Sequence, residues 1–295
     1  MVTSKKPKGK PKPLKASSQA LSTKAERGST TLLTQDPNLK NGSIVPSGAS
    51  YDIATPGKVI ICGPLLLPGQ NFSIEAGALG TQNDTRGQAA TINVRGQDGA
   101  PMPDLPPAAV GSTGARGTPA HKDPGNGGTG AKGSSGAPGI RGGDAGNVII
   151  NIGEVAQGTQ LLLIADGGTG GKGQRGQAGG TGGTGGLSAR IGFFYRGGNG
   201  GNGGNGGSGG KGGRGGNGGV IEVSALGGSS ASFTGSAKGG TAGAAGDPGA
   251  PGEGGRSGGQ GSRFVNSGAP GNAGQAGSQG PGGAPGTDGQ LNLNE

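Results

Sequence analysis

The sequence predicts a mostly irregular, all-β protein: an antiparallel bundle of polyglycine-II helices capped by short β-strands and hairpins. Three observations lead to this fold class. Glycine supplies 79 of the 295 residues, glycine recurs with a period of three, and short apolar segments separate the glycine-rich stretches. Aromatic residues make up 2% of the chain and tryptophan is absent, which excludes an ordinary α-helical or α/β core.

The glycine period is strict over five long runs. Glycine occupies every third position of the stretches 127–142, 167–185, 197–218, 240–261 and 268–289. A period of three matches the three residues per turn of polyproline II, a helix without internal hydrogen bonds. A bare glycine edge lets a neighbouring backbone approach and pair, because buried backbone groups need partners. A flexible glycine-rich linker, the alternative, has no such period.

The run at 197–218 carries two glycines in every three residues and is therefore predicted to lie inside the bundle, with the others outside. The apolar segments between runs are predicted strands. Two pairs are expected to form hairpins at one end of the bundle, 147–153 with 159–166 and 220–226 with 230–238. The single connectors 187–196 and 262–267 then lie at the other, distal end.

The hairpin end of the bundle is also expected to hold a strand-rich region over residues 42–100. Together these strands predict a small β-core. Its expected members are Val59, Ile60, Ile61, Leu65, Leu66, Leu67, Phe72, Ile74, Ile92, Val94, Val148, Ile150, Ile152, Leu161, Leu163, Val220, Ile221 and Val223.

The net charge of +9 is concentrated near the N-terminus, where eight basic residues stand against one acidic residue before position 28. Prolines interrupt this stretch, so a helix is excluded and a disordered basic tail is predicted for 1–41. A β-rich region (42–100), a loop (101–124) and the glycine-repeat bundle with its β connectors (125–295) follow. Nucleic acid is not an expected partner, because no aromatic stacking residues accompany the basic tail.

The chain carries no motif for catalysis, cofactor binding or metal binding. The predicted strand and the glycine-rich turn before Lys172 partly match a P-loop. The pattern fails because Asp166 replaces its first glycine and Gly173 replaces its final Ser or Thr. His121 is the only histidine, which argues against a histidine metal site or a Ser/His/Asp system. Cys62 is the only cysteine, so no intrachain disulfide is possible. The sequence predicts no enzyme, no cofactor and no metal ion.

Aromatic and arginine residues concentrate in the two single connectors. Such side chains are the usual anchors of recognition surfaces. The candidate binding residues are Arg190, Phe193, Phe194, Tyr195, Arg196, Arg263 and Phe264. The alternative is a hydrophobic plug that closes the distal end of the bundle, and the two roles are compatible.

The alternation of glycine runs with short variable segments, notably GGNGGNGGNGGSGGKGGRGGNGG at 197–219, resembles the tail-fibre tip adhesins of T-even-type phages. The resemblance covers about residues 125–289. It implies a polyglycine-II sandwich whose distal loops, here including 187–196 and 262–267, bind a host surface receptor. The family's N-terminal fibre-attachment domain has no recognisable counterpart. Springtail glycine-rich antifreeze proteins share the helix type, but they are shorter and have cysteines that this chain lacks.

The resemblance favours a structural, receptor-binding protein for cell-surface adhesion, with a protein or glycan receptor and a fibre or scaffold partner at its N-terminal region. Stretches such as GDPGAPGEGG leave open a collagen-like extracellular protein forming homotrimers. An ice-binding protein and a scaffold without a specific ligand are further alternatives. No apolar stretch is long enough for a membrane span, and no secretory signal is recognisable. The expected location is a virion or an extracellular surface.

Overall fold

A computed structural model describes residues 29–38, 43–44, 50–114, 124–188, 197–227, 232–259 and 268–294. These residues contain eleven β-strands and no helix. The strands are β1 (Thr30–Thr34), β2 (Ser43–Ile44), β3 (Tyr51–Cys62), β4 (Pro64–Leu66), β5 (Phe72–Gln82), β6 (Thr91–Asn93), β7 (Val148–Val155), β8 (Gln160–Ile164), β9 (Val220–Ala225), β10 (Ser232–Ser236) and β11 (Gln290–Asn294).

The strands form two sheets in which every neighbouring pair is parallel. Sheet A has seven strands in the order β11-β9-β7-β5-β3-β1-β2, and sheet B has four in the order β10-β8-β6-β4. In sheet A, Val148 of β7 is aligned with Ile221 of β9, and Val220 of β9 with Gln290 of β11. Aligned residues are thus 73 and 70 positions apart (221 − 148 and 290 − 220). These spacings reveal a structural repeat of roughly 70 residues.

From β3 to β10, consecutive strands belong to opposite sheets. The chain passes from β7 in sheet A to β8 in sheet B through a turn in which Gly158 has φ 75°. Val148, Ile150 and Ile152 point inward and are buried, while Ile149 and Asn151 between them are exposed. The inward faces of both sheets therefore form one apolar core, because each sheet buries only the side that faces the other.

Six glycine-rich extended segments continue the strands. We number them in chain order: first (95–114), second (124–146), third (165–187), fourth (197–219), fifth (237–259) and sixth (268–289). The first, third and fifth follow the strands β6, β8 and β10 of sheet B, and we call them layer B. The second, fourth and sixth precede the strands β7, β9 and β11 of sheet A, and we call them layer A.

Backbone hydrogen bonds join neighbouring segments at every third residue. Within layer A the direction is parallel: Gly127 donates to Asn199 at 2.8 Å and Gly142 to Arg214 at 2.9 Å. Between the layers the direction is antiparallel: Gly201 donates to the carbonyl of Gly183 and Gly204 to that of Gly180, both at 2.8 Å. The third and fourth segments both lie in the middle of their layers, so the run at 197–218 is not alone in the interior.

The predicted fold class, an antiparallel bundle of polyglycine-II helices capped by short strands and hairpins, is wrong. The described residues contain no helix, and their regular secondary structure consists of parallel strands in two sheets. Neither predicted hairpin forms, because β7 and β8 lie in opposite sheets, as do β9 and β10. The alternation of buried and exposed residues in these strands reflects packing against a second sheet, not pairing with the next strand in sequence.

Candidate functional site at the far end of the glycine segments

The ends of the glycine segments that lie away from the sheets are joined to one another by backbone hydrogen bonds. Gly114 donates to Thr184 at 2.8 Å and Gly186 to Gly125 at 2.8 Å. Gly198 donates in turn to the carbonyl of Gly186 at 2.9 Å. The stretches 115–123, 189–196 and 260–267 therefore all depart from and return to one end of the protein, which we call the far end.

The fifth segment reaches the far end as well. Gly258 donates a hydrogen bond to the carbonyl of Gly198 at 2.8 Å, and Gly185 donates to Arg256 at 2.9 Å. Because a backbone N–H···O bond fixes its two segments at close distance, the departure points have little freedom relative to one another. The hydrogen-bonded segments thus fix the positions of the residues that flank 115–123, 189–196 and 260–267.

The seven predicted binding residues lie outside the described residues. Arg190, Phe193, Phe194, Tyr195 and Arg196 fall between Ser188 and Gly197, and Arg263 and Phe264 fall between Gly259 and Gly268. His121 also lies outside the described residues. The assignment of these residues to a binding surface remains a prediction, as does the alternative of a plug.

Described side chains at the far end add apolar and cationic groups to this region. Leu187 is 48% exposed, although it directly precedes the buried Ser188. The Cδ2 atom of Leu187 lies 3.2 Å from the position that a Cβ on Gly259 would take. Arg256 is exposed on the fifth segment beside this point. An apolar surface with a neighbouring guanidinium is suited to contacts with a protein or a sugar.

A polar group that the sequence did not predict lies at the opposite end, just after the C-terminal ends of β1 and β5 in sheet A. The carboxylate of Asp36 accepts hydrogen bonds from the Thr85 hydroxyl and from the backbone N–H of Asn38 and Thr85, which lower the pKa of Asp36 to about 2. Asp84 is buried, which raises its pKa. Hydrogen bonds from the backbone of Gln88 and from Arg86 outweigh that effect and lower the pKa overall.

Cys62 lies next to these carboxylates. Burial and then the charges of Asp84 and Asp36 raise the pKa of the Cys62 thiol. Since the thiolate is the nucleophile of cysteine chemistry, this environment holds the thiol in its unreactive form. The arrangement joins β3 to the loop after β5 and has the character of a structural polar cluster.

A depression of about 190 Å³ lies on layer B, where Met102 and Asp104 line it together with Lys172, whose ammonium group contacts Asp247 at 2.6 Å. No group of three or more potential metal-ligating side chains occurs within the described ranges. Among the same residues, no helix has the length and apolar character needed to cross a membrane.

No protein-family model matches the chain, and no curated protein matches it. Among solved structures, the chain is similar to a springtail antifreeze protein from Granisotoma rainieri, described as a nine polyproline type II helical bundle. The two are 28% identical, and the match covers 62% of this chain and 94% of the antifreeze protein, with a TM-score of 0.11. A TM-score this low supports no inference about fold or function.

Proposed function

We propose that this protein is a structural, receptor-binding protein that uses its far end for adhesion to a cell surface. The observation that carries the proposal is the common departure point of the three stretches 115–123, 189–196 and 260–267. Two of these stretches contain Phe193, Phe194 and Tyr195, three of the seven aromatic residues in the chain, together with Arg190, Arg196, Arg263 and Phe264.

The rest of the framework suits the display of the far end. Residues of both layers are tied together by repeated backbone hydrogen bonds, so the segments form a stiff support between the sheets and the far end. The partner is a protein or glycan receptor, and the N-terminal region, which carries most of the net positive charge, takes a fibre or scaffold partner.

The hydrogen-bond pattern favours this single-chain function over a collagen-like homotrimer. In a collagen trimer the glycine N–H groups pair between three chains. Here the glycine N–H groups of the fourth segment, for example Gly200 and Gly201, find their carbonyl partners in Ala269 and Gly183 of the same chain. A virion or an extracellular surface is the setting in which such an adhesive protein works.

The test is a cell-binding assay with the triple variant Phe193→Ala, Phe194→Ala, Tyr195→Ala. We expect loss of binding with an unchanged thermal melt by circular dichroism. Leu226→Ala is the matched control, because Leu226 is 92% exposed at the opposite end, in the turn after β9. Full binding by the triple variant contradicts the proposal, and loss of folding by that variant supports the plug instead.

A further inference from the structure

The outer face of layer A carries a row of asparagine side chains with their carbonyl oxygens fixed in place. The Oδ1 atoms of Asn199, Asn202 and Asn205 accept the backbone N–H groups of Ala269, Asn272 and Gln275 at 2.8, 2.9 and 2.9 Å. In each case the side chain of one segment bonds the backbone of the next segment in the layer. Since the partner is a donor, the oxygen of each amide must face it.

The opposite end of each amide is therefore a preorganised donor. Asn199, Asn202 and Asn205 are exposed, and among the described residues no protein acceptor is bonded to their Nδ2 atoms. Consecutive asparagines are three residues apart, which places them about 9–10 Å apart along an extended chain. Asn126, which binds the N–H of Asn199 at 2.9 Å, extends the pattern to the second segment.

The same face carries an excess of positive charge. Layer A contains four basic residues, Lys132, Arg141, Lys211 and Arg214, and two acidic ones, Asp144 and Asp288. Asp144 pairs with Arg141 at 2.5 Å, and Asp288 accepts the N–H of Gly239 at the edge of the layer. Lys211 and Arg214 are exposed and form no ion pair within the described part of the chain.

Layer B provides an internal comparison. Its three segments hold five basic residues (Arg95, Lys172, Arg175, Lys238 and Arg256) and five acidic ones (Asp98, Asp104, Asp166, Asp247 and Glu253). Arg95 forms an ion pair with Asp98, and Lys172 forms one with Asp247. The formal charges of layer B balance, whereas layer A presents a row of amide donors and cationic groups that form no ion pair among the described residues. A donor-rich, basic row of this kind complements a linear ligand that is rich in oxygen acceptors and negatively charged.

We propose that the outer face of layer A binds an acidic polysaccharide. Lys211 and Arg214 face its carboxylates, while the amide groups of Asn199, Asn202 and Asn205 donate to its hydroxyl and ring oxygens. The surface lacks aromatic side chains for base stacking, which favours a glycan over a single-stranded nucleic acid. This site lies on the flank of the molecule and is independent of the proposed adhesion at the far end.

The decisive substitution is Asn202→Asp combined with Asn205→Asp. An aspartate keeps the oxygen that accepts the N–H of the sixth segment, so the framework stays intact. It replaces the outward donor with a second acceptor and adds a negative charge. Lys172→Ala with Arg175→Ala on layer B is the matched control, because it removes two positive charges from the opposite face.

Binding is measured by calorimetry on the full chain with hyaluronan, which carries one carboxylate per disaccharide, and with neutral dextran of similar length. We expect hyaluronan to bind and dextran not to, with affinity falling as salt rises. We expect the double aspartate variant to lose about tenfold or more in affinity, since like charges now oppose each other, and the layer B control to lose less. Circular dichroism should show the same melt for all three proteins.

Several results overturn the proposal. Equal losses in both variants indicate diffuse attraction to a basic protein, including its N-terminal tail, and not a site on layer A. Unchanged affinity in the aspartate variant excludes the asparagine row, and equal binding of dextran excludes the role of charge. Tighter binding of single-stranded DNA of matched charge than of hyaluronan assigns the face to nucleic acid instead.

Discussion

A Cβ atom placed on Gly212 would lie 2.1 Å from the backbone carbonyl oxygen of Gly243. The fourth and fifth segments therefore approach so closely at this point that no side chain fits between them. Gly282 in the sixth segment stands at the edge of layer A, and a Cβ there would meet nothing within 4 Å. The two glycines thus have opposite steric surroundings in the same kind of extended segment.

We expect Gly212→Ala to destabilise the protein by about 1–3 kcal/mol, the usual effect of overpacking, because the obstacle is backbone that cannot rotate away. Gly282→Ala should be neutral or stabilising by about 0.4–1 kcal/mol, since alanine restricts the unfolded chain. Chemical denaturation of both variants gives the two free energies. Equal destabilisation would show that the segments do not pack as described here.

The side chain of Gln174 bridges three segments of both layers. Its Oε1 accepts the N–H of Ala137 at 2.8 Å, and its Nε2 donates to the carbonyl of Pro103 at 2.6 Å. Gln174→Leu leaves both backbone groups without that partner, and we expect a loss of about 1–3 kcal/mol in the free energy of unfolding. Gln279→Leu is the control, because Gln279 is exposed on the sixth segment. A stability loss no larger in Gln174→Leu than in the control contradicts the bridging role.

The carboxylate of Asp36 makes stability depend on pH in the acid range. Its pKa is about 2 in the folded protein because Thr85 and Asn38 donate hydrogen bonds to the ionised form, against about 3.9 for an unperturbed aspartate. A lowered pKa contributes stability that is present above the unfolded value and is lost as pH falls through the folded value. The contribution of Asp36 should therefore disappear between about pH 4 and pH 2.

Replacing Asp36 with asparagine tests this dependence. The variant should be less stable than the wild type at pH 7, and the difference should shrink as the pH falls from 4 to 2. Denaturation curves at pH 7, 4 and 2 measure it. Asp104→Asn is the control, because Asp104 is exposed on the first segment and the substitution makes the same chemical change there. A constant difference between wild type and Asp36→Asn across that range excludes the role of ionised Asp36.

The core could be predicted from the sequence better than the topology. Val148, Ile150 and Ile152 were predicted members of the β-core, and the structure confirms that they are buried. Leu66 was expected in the core, but it is 48% exposed because its neighbour Leu65 points inward from sheet B. Local alternation identifies the buried face of a strand. It contains no information on whether the next strand pairs with it or packs against it from the other sheet.

The interior position of the third segment was not predicted, for a chemical reason. Gln174 and Gln177 interrupt its second series of glycines, so this run did not resemble the doubly glycine-rich run at 197–218. The structure shows that both side chains bond the first and second segments, Gln177 to Ser134 and Pro106. The repeat of about 70 residues also escaped detection, since strand sequences differ from one repeat to the next. The predicted binding residues of the two connectors, Arg190, Phe193, Phe194, Tyr195, Arg196, Arg263 and Phe264, lie outside the described residues and remain a prediction.

The most direct test of the fold is a pair of distances between spin labels in β7, β8 and β9. Asn151 is aligned with Ser224 in the neighbouring parallel strand, whereas Leu162 is exposed on the outer face of the other sheet. Cys62 is buried, so it does not compete with cysteines introduced at the three label sites. With strands about 4.8 Å and sheets about 10 Å apart, labels at 151 and 224 should be close, and labels at 151 and 162 should be separated by more than about 15 Å. A short distance between 151 and 162 together with a long one between 151 and 224 would restore the hairpin and contradict the parallel arrangement.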